Sequence, residues 1–277
     1  MKRILVFTDF SRCAELATDT AIQLAQKHDG EIEFIHYMNR LPENWGVGTK
    51  ALKKSYPDYY KEFIDSSVAL SELEDLAKEY GVKAKGRIIY EFKPRQLSEL
   101  IKESDSDCVI MGSHGRTSFE EFMMGSQAQE IVRHSPVPVI VLKQEIDILN
   151  SQLVFISDFE EEVIAAFESF INFSNVLAVP ISLLHIKTNK LNSETEIKSR
   201  MNNFESRAGS RLKDSLIIEA KSIELGIERY CAELDNAVLS IGTHGRLGLN
   251  RIIKGSHSEK IVNRLMFPVI TIPINKG

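Results

Sequence analysis

The chain lacks any apolar run approaching the roughly 20 residues of a membrane span. Its N-terminal apolar stretch, Ile4–Phe7, stops at Thr8-Asp9. That is too short for a secretory signal, and the expected home is the cytoplasm. Cysteine is scarce: Cys13, Cys108 and Cys231 are an odd number with no C-x-x-C spacing. A disulfide framework and a zinc knuckle therefore have no support, and each thiol has the apolar neighbours of a small core residue. A basic excess is missing too. Lys and Arg number 34 against 39 Asp and Glu, for a net charge of −5, which argues against nucleic acid as the main partner. Walker A, G-x-G-x-x-G, G-x-S-x-G and H-E-x-x-H sequences are all absent. Gly46-Val-Gly48-Thr-Lys50 is superficially like a phosphate loop, but it follows no clear strand and reads as an irregular loop.

What is present is a duplication. Gly112-Ser-His-Gly115-Arg is followed, nine residues after its second glycine, by Gly125-Ser126. Gly242-Thr-His-Gly245-Arg is followed at the same spacing by Gly255-Ser256. Each copy begins after a short apolar run, Cys108–Met111 or Ala237–Ile241, and each ends in a Pro-Val-Ile strand. One such pattern is a weak signal; two in register mark an internal repeat. The chain of 277 residues is long enough for two domains of about 140 residues. The expected boundaries are 1–146 and 150–277, with Lys143–Gln152 as a short linker.

Strand-like and helix-like segments alternate. In the first copy strands are expected at Ile4–Phe7, Ile32–Tyr37, Ala84–Tyr90, Cys108–Met111 and Val137–Leu142. Helices are expected at Cys13–Lys27, Phe63–Tyr80, Pro94–Glu103 and Ser126–His134. The second copy repeats the order, from Leu153–Ile156 and its Ser157-Asp158-Phe159 to Ser215–Ala220 and Ile223–Leu234. Such alternation predicts an α/β protein: two tandem domains, each a five-stranded parallel sheet of order 3-2-1-4-5 with helices on both faces. The copies are offset by 149 residues at their start and by 130 at the glycines. The first copy thus holds about nineteen extra residues, most economically placed in the irregular 40–60 segment. The last strands, Val137–Leu142 and Phe267–Ile272, are apolar and β-branched. They are expected to pair with each other across a pseudo-twofold axis, because an unpaired edge of this kind invites aggregation.

In an open parallel sheet, ligands bind beyond the carboxyl ends of the strands where strand order reverses. Asp9 and Gly112 would meet there in the first copy, and Asp158 and Gly242 in the second. A carboxylate can accept from ribose hydroxyls. Glycines allow backbone amides to approach phosphate, and Ser126 and Ser256 fall at expected helix N-termini. His114 and His244 lie inside the loops. His36 and His185 end the second strand of each copy and read as strand-end residues with a local hydrogen bond.

The doubled glycine pattern, with the early Thr/Ser-Asp-Phe, resembles the universal stress protein family in its tandem form, over nearly the whole chain. The resemblance implies binding of ATP, with or without Mg²⁺, in members that keep these glycines. By that resemblance Asp9 contacts ribose, Tyr37 offers backbone to adenine, Met111 and Gly112 line base and sugar, and Gly115, Gly125, Ser126 and Gln127 hold phosphates. The second set is Asp158, Ile186, Ile241, Gly242, Gly245, Gly255, Ser256 and His257. It implies a stress-response regulatory protein with an adenine nucleotide and an unidentified protein as partners, neither nucleic acid nor membrane, and an intramolecular pseudo-dimer that could pair further into a homodimer. A slow adenine-nucleotide hydrolase and a nucleotide-free scaffold are the alternatives. Residues 116–125 carry a net charge of −1 and residues 246–255 a net +3. Tyr37 is bulky where Ile186 stands in the second copy. The second copy is therefore expected to bind ATP more tightly.

Overall fold

The structure, a computed structural model, describes residues 1–38, 53–90, 94–113, 126–188, 193–243 and 267–273. In chain order the main elements of the first half are β1 (Arg3–Thr8), α1 (Arg12–His28), β2 (Glu31–Tyr37), α2 (Pro57–Glu79), β3 (Lys83–Ile89), α3 (Pro94–Glu103), β4 (Cys108–Gly112), α4 (Ser126–His134) and β5 (Val139–Leu142). The second half runs β6 (Gln152–Ile156), α5 (Ile164–Leu177), β7 (Ile181–Lys187), α6 (Glu194–Ala208), β8 (Leu212–Glu219), α7 (Ile223–Cys231), β9 (Ala237–Thr243) and β10 (Val269–Pro273). Among the described residues no helix is long and apolar enough to cross a membrane.

The strands form one sheet in the order β3-β2-β1-β4-β5-β10-β9-β6-β7-β8. Read inward from its edge, each half has the order 3-2-1-4-5 that the sequence predicts. All pairs are parallel except the central one, where β10 runs antiparallel to β5 with Ile270 opposite Ile140. The expected joining of the last two strands is therefore present, and β5 and most of β10 are buried. Pairing satisfies backbone groups that would otherwise lie along two apolar edges.

Two apolar layers flank the sheet, and each runs through both halves. One holds Val6, Leu24 and Phe34 with Ile140, Ile270, Phe155 and Phe167. The other holds Leu5, Ile101 and Ile131 with Val141, Val269, Leu184 and Ile227. Phe155, Phe167, Phe170 and Phe204 stack against one another in the first layer, with neighbouring ring centroids 4.9–5.9 Å apart. Lys27 of α1 donates to the Leu177 carbonyl at the C-terminus of α5, at 3.2 Å, and so links the halves on that face.

Two expectations are corrected. The extra residues of the first copy do lie between β2 and β3, but not only in an irregular segment. Helix α2 begins at Pro57 and has 23 residues, whereas α6 of the second half has 15. Pro57 sits in the first turn, where its missing N–H has no partner to lose. The second glycine run also starts inside a strand. Gly242 and Thr243 stay in the ladder because β10 continues beside them, Ile272 opposite Gly242 and Pro273 opposite Thr243. In the first half β5 stops at Leu142, and Gly112 is the last paired residue of β4.

Candidate functional site

Each half has a switch point at the carboxyl ends of its central strands. In the first half β1 lies between β2 and β4, and Phe7 is in register with Met111. Asp9 leaves β1 one residue beyond Thr8, so it lies beside the end of β4 at Gly112. In the second half β6 lies between β7 and β9, with Phe155 opposite Ser240. Asp158 thus leaves β6 beside Gly242 and Thr243. Both aspartates are half-buried.

The two aspartates sit in the same turn. Phe10 has φ +59° and Phe159 φ +57°, left-handed values that a non-glycine residue adopts at a cost of roughly 1–3 kcal/mol. Local hydrogen bonds hold the turn. The amide of Phe10 donates to Thr8 Oγ1 at 3.0 Å, and that of Ser11 to Asp9 Oδ1 at 3.1 Å. In the second half Phe159 donates to Ser157 Oγ at 2.9 Å, and Glu160 to Asp158 Oδ1 at 3.4 Å. The repeated Thr/Ser-Asp-Phe is thus the signature of a strained turn that sets an aspartate beside the strand ends.

Around this shared turn the halves differ. Ser11 caps α1, accepting from the Ala14 amide at 3.4 Å, and the helix starts at once. In the second half Glu160, Glu161 and Glu162 occupy the matching positions, a short 3-10 turn intervenes, and α5 has no side-chain cap. Arg200 of α6 pairs with Glu160. Burial, and to a lesser extent Glu160, holds the Asp158 carboxyl above the usual range for aspartate, while the Glu160 amide and Arg200 pull the other way.

Gly112 has a packing reason of its own. A Cβ there would lie 2.7 Å from the backbone and side chain of Cys13, so α1 passes too close for any larger residue. Cys13 is half-buried at this contact, not fully buried as the sequence suggests. Cys108 and Cys231 are buried core thiols, and burial pushes the Cys231 thiol up to about 12.

Of the other predicted site residues, Met111, Ile241 and Ile186 belong to the second apolar layer, at 4%, 4% and 7% exposure. Only their edges or backbone could meet a ligand. Ile186 also packs on α7, its Cγ2 lying 2.6 Å from where a Cβ on Gly226 would stand. Tyr37 ends β2, half-buried. Ser126 is the first residue of α4 and Gln127 is exposed in its first turn. Gly115, Gly125, Gly245, Gly255, Ser256 and His257, with His114 and His244, lie outside the described residues.

The sequence reading passed over Lys143. It follows β5 directly, next to the end of β4, where Ser113 donates to the Leu142 carbonyl at 2.9 Å. Pro273 holds the matching place in the second half. Burial lowers the Lys143 ammonium from its ordinary 10.5 to about 8. The register of the sheet sets this lysine beside the end of β4, a placement that no local motif could have flagged.

The sequence profile of the universal stress protein family matches residues 1–143 and again 174–273. Two universal stress proteins of Methanocaldococcus jannaschii are 26% and 27% identical over 143 and 155 residues. Each alignment covers 52% of this chain, and 82% and 96% of the respective relative. A crystal structure of a universal stress protein from Archaeoglobus fulgidus superimposes with a TM-score of 0.71 at 20% identity, covering 99% of this chain and 98% of that one. The single-domain relatives thus match half of the chain, and the Archaeoglobus protein shares the fold of the whole. With its family profile matched twice in one continuous sheet, the chain belongs to the universal stress protein family, in tandem two-domain form.

Proposed function

We propose that the protein binds an adenine nucleotide, ATP, at the switch point of one or both halves, and works as a stress-response regulator whose nucleotide state sets its contacts with a partner. The observation that carries this reading is the doubled juxtaposition of a strained aspartate turn with a glycine-bearing strand end. A left-handed phenylalanine recurs in both halves with its ring packed on the core, and the turn it makes leaves an aspartate half-buried beside the strand ends. The Oδ1 atom of each aspartate accepts from the turn, and Oδ2 of Asp158 is the acceptor a ribose hydroxyl would use. The glycine runs that follow β4 and β9 would supply backbone amides to the phosphates. The functional units are then residues 1–146 and 150–277, with the short connection between them keeping both sites on one rigid sheet.

Mass spectrometry of the purified, denatured chain should release ATP or another adenine nucleotide, and calorimetry of the stripped chain should show one or two ATP sites. A chain that carries no nucleotide and gives no heat with ATP fails this reading and leaves the scaffold alternative. Release of ADP and phosphate on a minutes timescale would instead favour the hydrolase.

A further inference from the structure

We propose that His36 and His185 are positioning residues that preset the two aspartate turns for the ligand; this rests on the nucleotide reading above. Each histidine reaches across from the neighbouring strand. His36 on β2 is in register with Thr8, and its Nδ1 lies 2.9 Å from the Thr8 carbonyl. His185 on β7 repeats this, with Nδ1 2.9 Å from the Ser157 carbonyl. In both halves the carbonyl held is that of the residue just before the aspartate, and the histidine lies 28 residues further along the chain. A carbonyl only accepts, so Nδ1 carries the proton and the tautomer is fixed.

The same imidazoles back the strained residue. The Phe10 ring lies 4.6 Å from that of His36, and the Phe159 ring 6.5 Å from that of His185, centroid to centroid. The histidine therefore clamps the turn on both sides of the aspartate, by hydrogen bond before it and by ring contact after it. A backbone in the left-handed region persists only where its surroundings over-determine it. The Thr or Ser hydroxyl and the Asp carboxylate act from within the turn; the histidine ties it to the neighbouring strand. Both imidazoles are buried, at 9% and 7% exposure. Burial also lowers the tendency of His185 to take a proton, so its ring is neutral at pH 7.

The test compares His185→Leu, which removes the donor, with His185→Asn, whose amide can stand where Nδ1 stood. Well below the melting temperature, His185→Leu should weaken ATP at the second site by about tenfold and leave the first site unchanged, as expected for one lost hydrogen bond that orders the turn. His185→Asn should restore most of the affinity. His36→Leu and His36→Asn should repeat this at the first site. The amides of Phe159 and Glu160 should exchange faster in His185→Leu than in wild type. If His185→Leu does not fold, His185→Gln, whose donor sits one bond further out, replaces it with the same expectation. Wild-type affinity in the Leu or Gln variant overturns the proposal, as does an Asn variant no better than Leu, which would mean that bulk and not the hydrogen bond matters. Should wild-type chain bind no adenine nucleotide, the ligand reading fails by itself. The exchange rates still decide the clamp, and unchanged exchange at Phe159 and Glu160 overturns it.

Discussion

The two switch points of this chain share a turn and differ in nearly everything around it. The strand order, the left-handed phenylalanine, the aspartate and the histidine are the same in both halves. The first half then starts a capped helix at Arg12, packs Cys13 on Gly112 and has a half-buried Lys143 after β5. The second replaces Ser11-Arg12-Cys13 with three glutamates and Lys143 with Pro273. What duplication preserved is the backbone geometry that presents a carboxylate. What diverged is the charge that a polyphosphate would feel. If ATP binds as proposed, the charges of the two glycine runs would favour it in the second half, whereas the residues after the aspartate would favour the first.

The sharpest way to break this comparison is to disable the sites one at a time. Gly125→Asp and Gly255→Asp each put bulk and a like charge where backbone should approach phosphate. Each should remove one ATP site, a loss on the order of several kcal/mol, with little change in melting temperature. Calorimetric stoichiometry after each substitution ranks the sites. Full stoichiometry in both variants would show that the glycine runs do not hold the ligand.

A smaller effect is expected from the acidic wall of the second half. Glu161→Gln with Glu162→Gln should tighten ATP there, by several-fold at low salt, since each exposed charge near a phosphate is worth up to about 1 kcal/mol. The gain should shrink as salt screens it. Unchanged affinity at low ionic strength would mean that these side chains point away from the ligand, and the charge of the glycine run would then dominate.

A separate effect, read in stability and not in affinity, distinguishes Lys143 from Pro273. With its folded-state value near 8 and its ordinary value 10.5, Lys143 holds less proton in the folded chain than in the unfolded one across that window. Its burial therefore penalises folding below about pH 8, and the penalty fades as pH rises toward 10.5. Lys143→Met should flatten the rise of stability between these limits, read as melting temperature against pH in nucleotide-free chain. A wild-type slope in the variant would assign the window to other groups. ATP at the first site should also take up protons near pH 8.5 if the ammonium faces the phosphates, and the variant should not.

Much of the architecture was legible in the sequence because it depends on local periodicity. Alternating short apolar runs and helical spacings at Ala14, Ala17, Ala21 and Leu24 identify elements whose buried faces the structure confirms. The pairing of β5 with β10 was legible too, from two apolar terminal strands with no other partner in the sequence. Element limits were less so. Pro57 looked like a loop residue, since proline marks loops and first helical turns alike. Gly242 looked like a loop residue because a glycine gives no sign that a neighbouring strand continues beside it.

The sequence by itself determined that the fold is repeated, that the sheet is parallel within each half, and that an aspartate and a glycine run end matching strands. Those properties follow from spacing and residue type, which the chain carries along its length. Only the tertiary structure decided that Gly112 is small because α1 crosses it, that His36 and His185 hold the carbonyl before each aspartate, and that Lys143 is half-buried beside the end of β4. Each depends on residues distant along the chain being brought together, and such meetings are set by sheet register and helix packing, which no local pattern encodes.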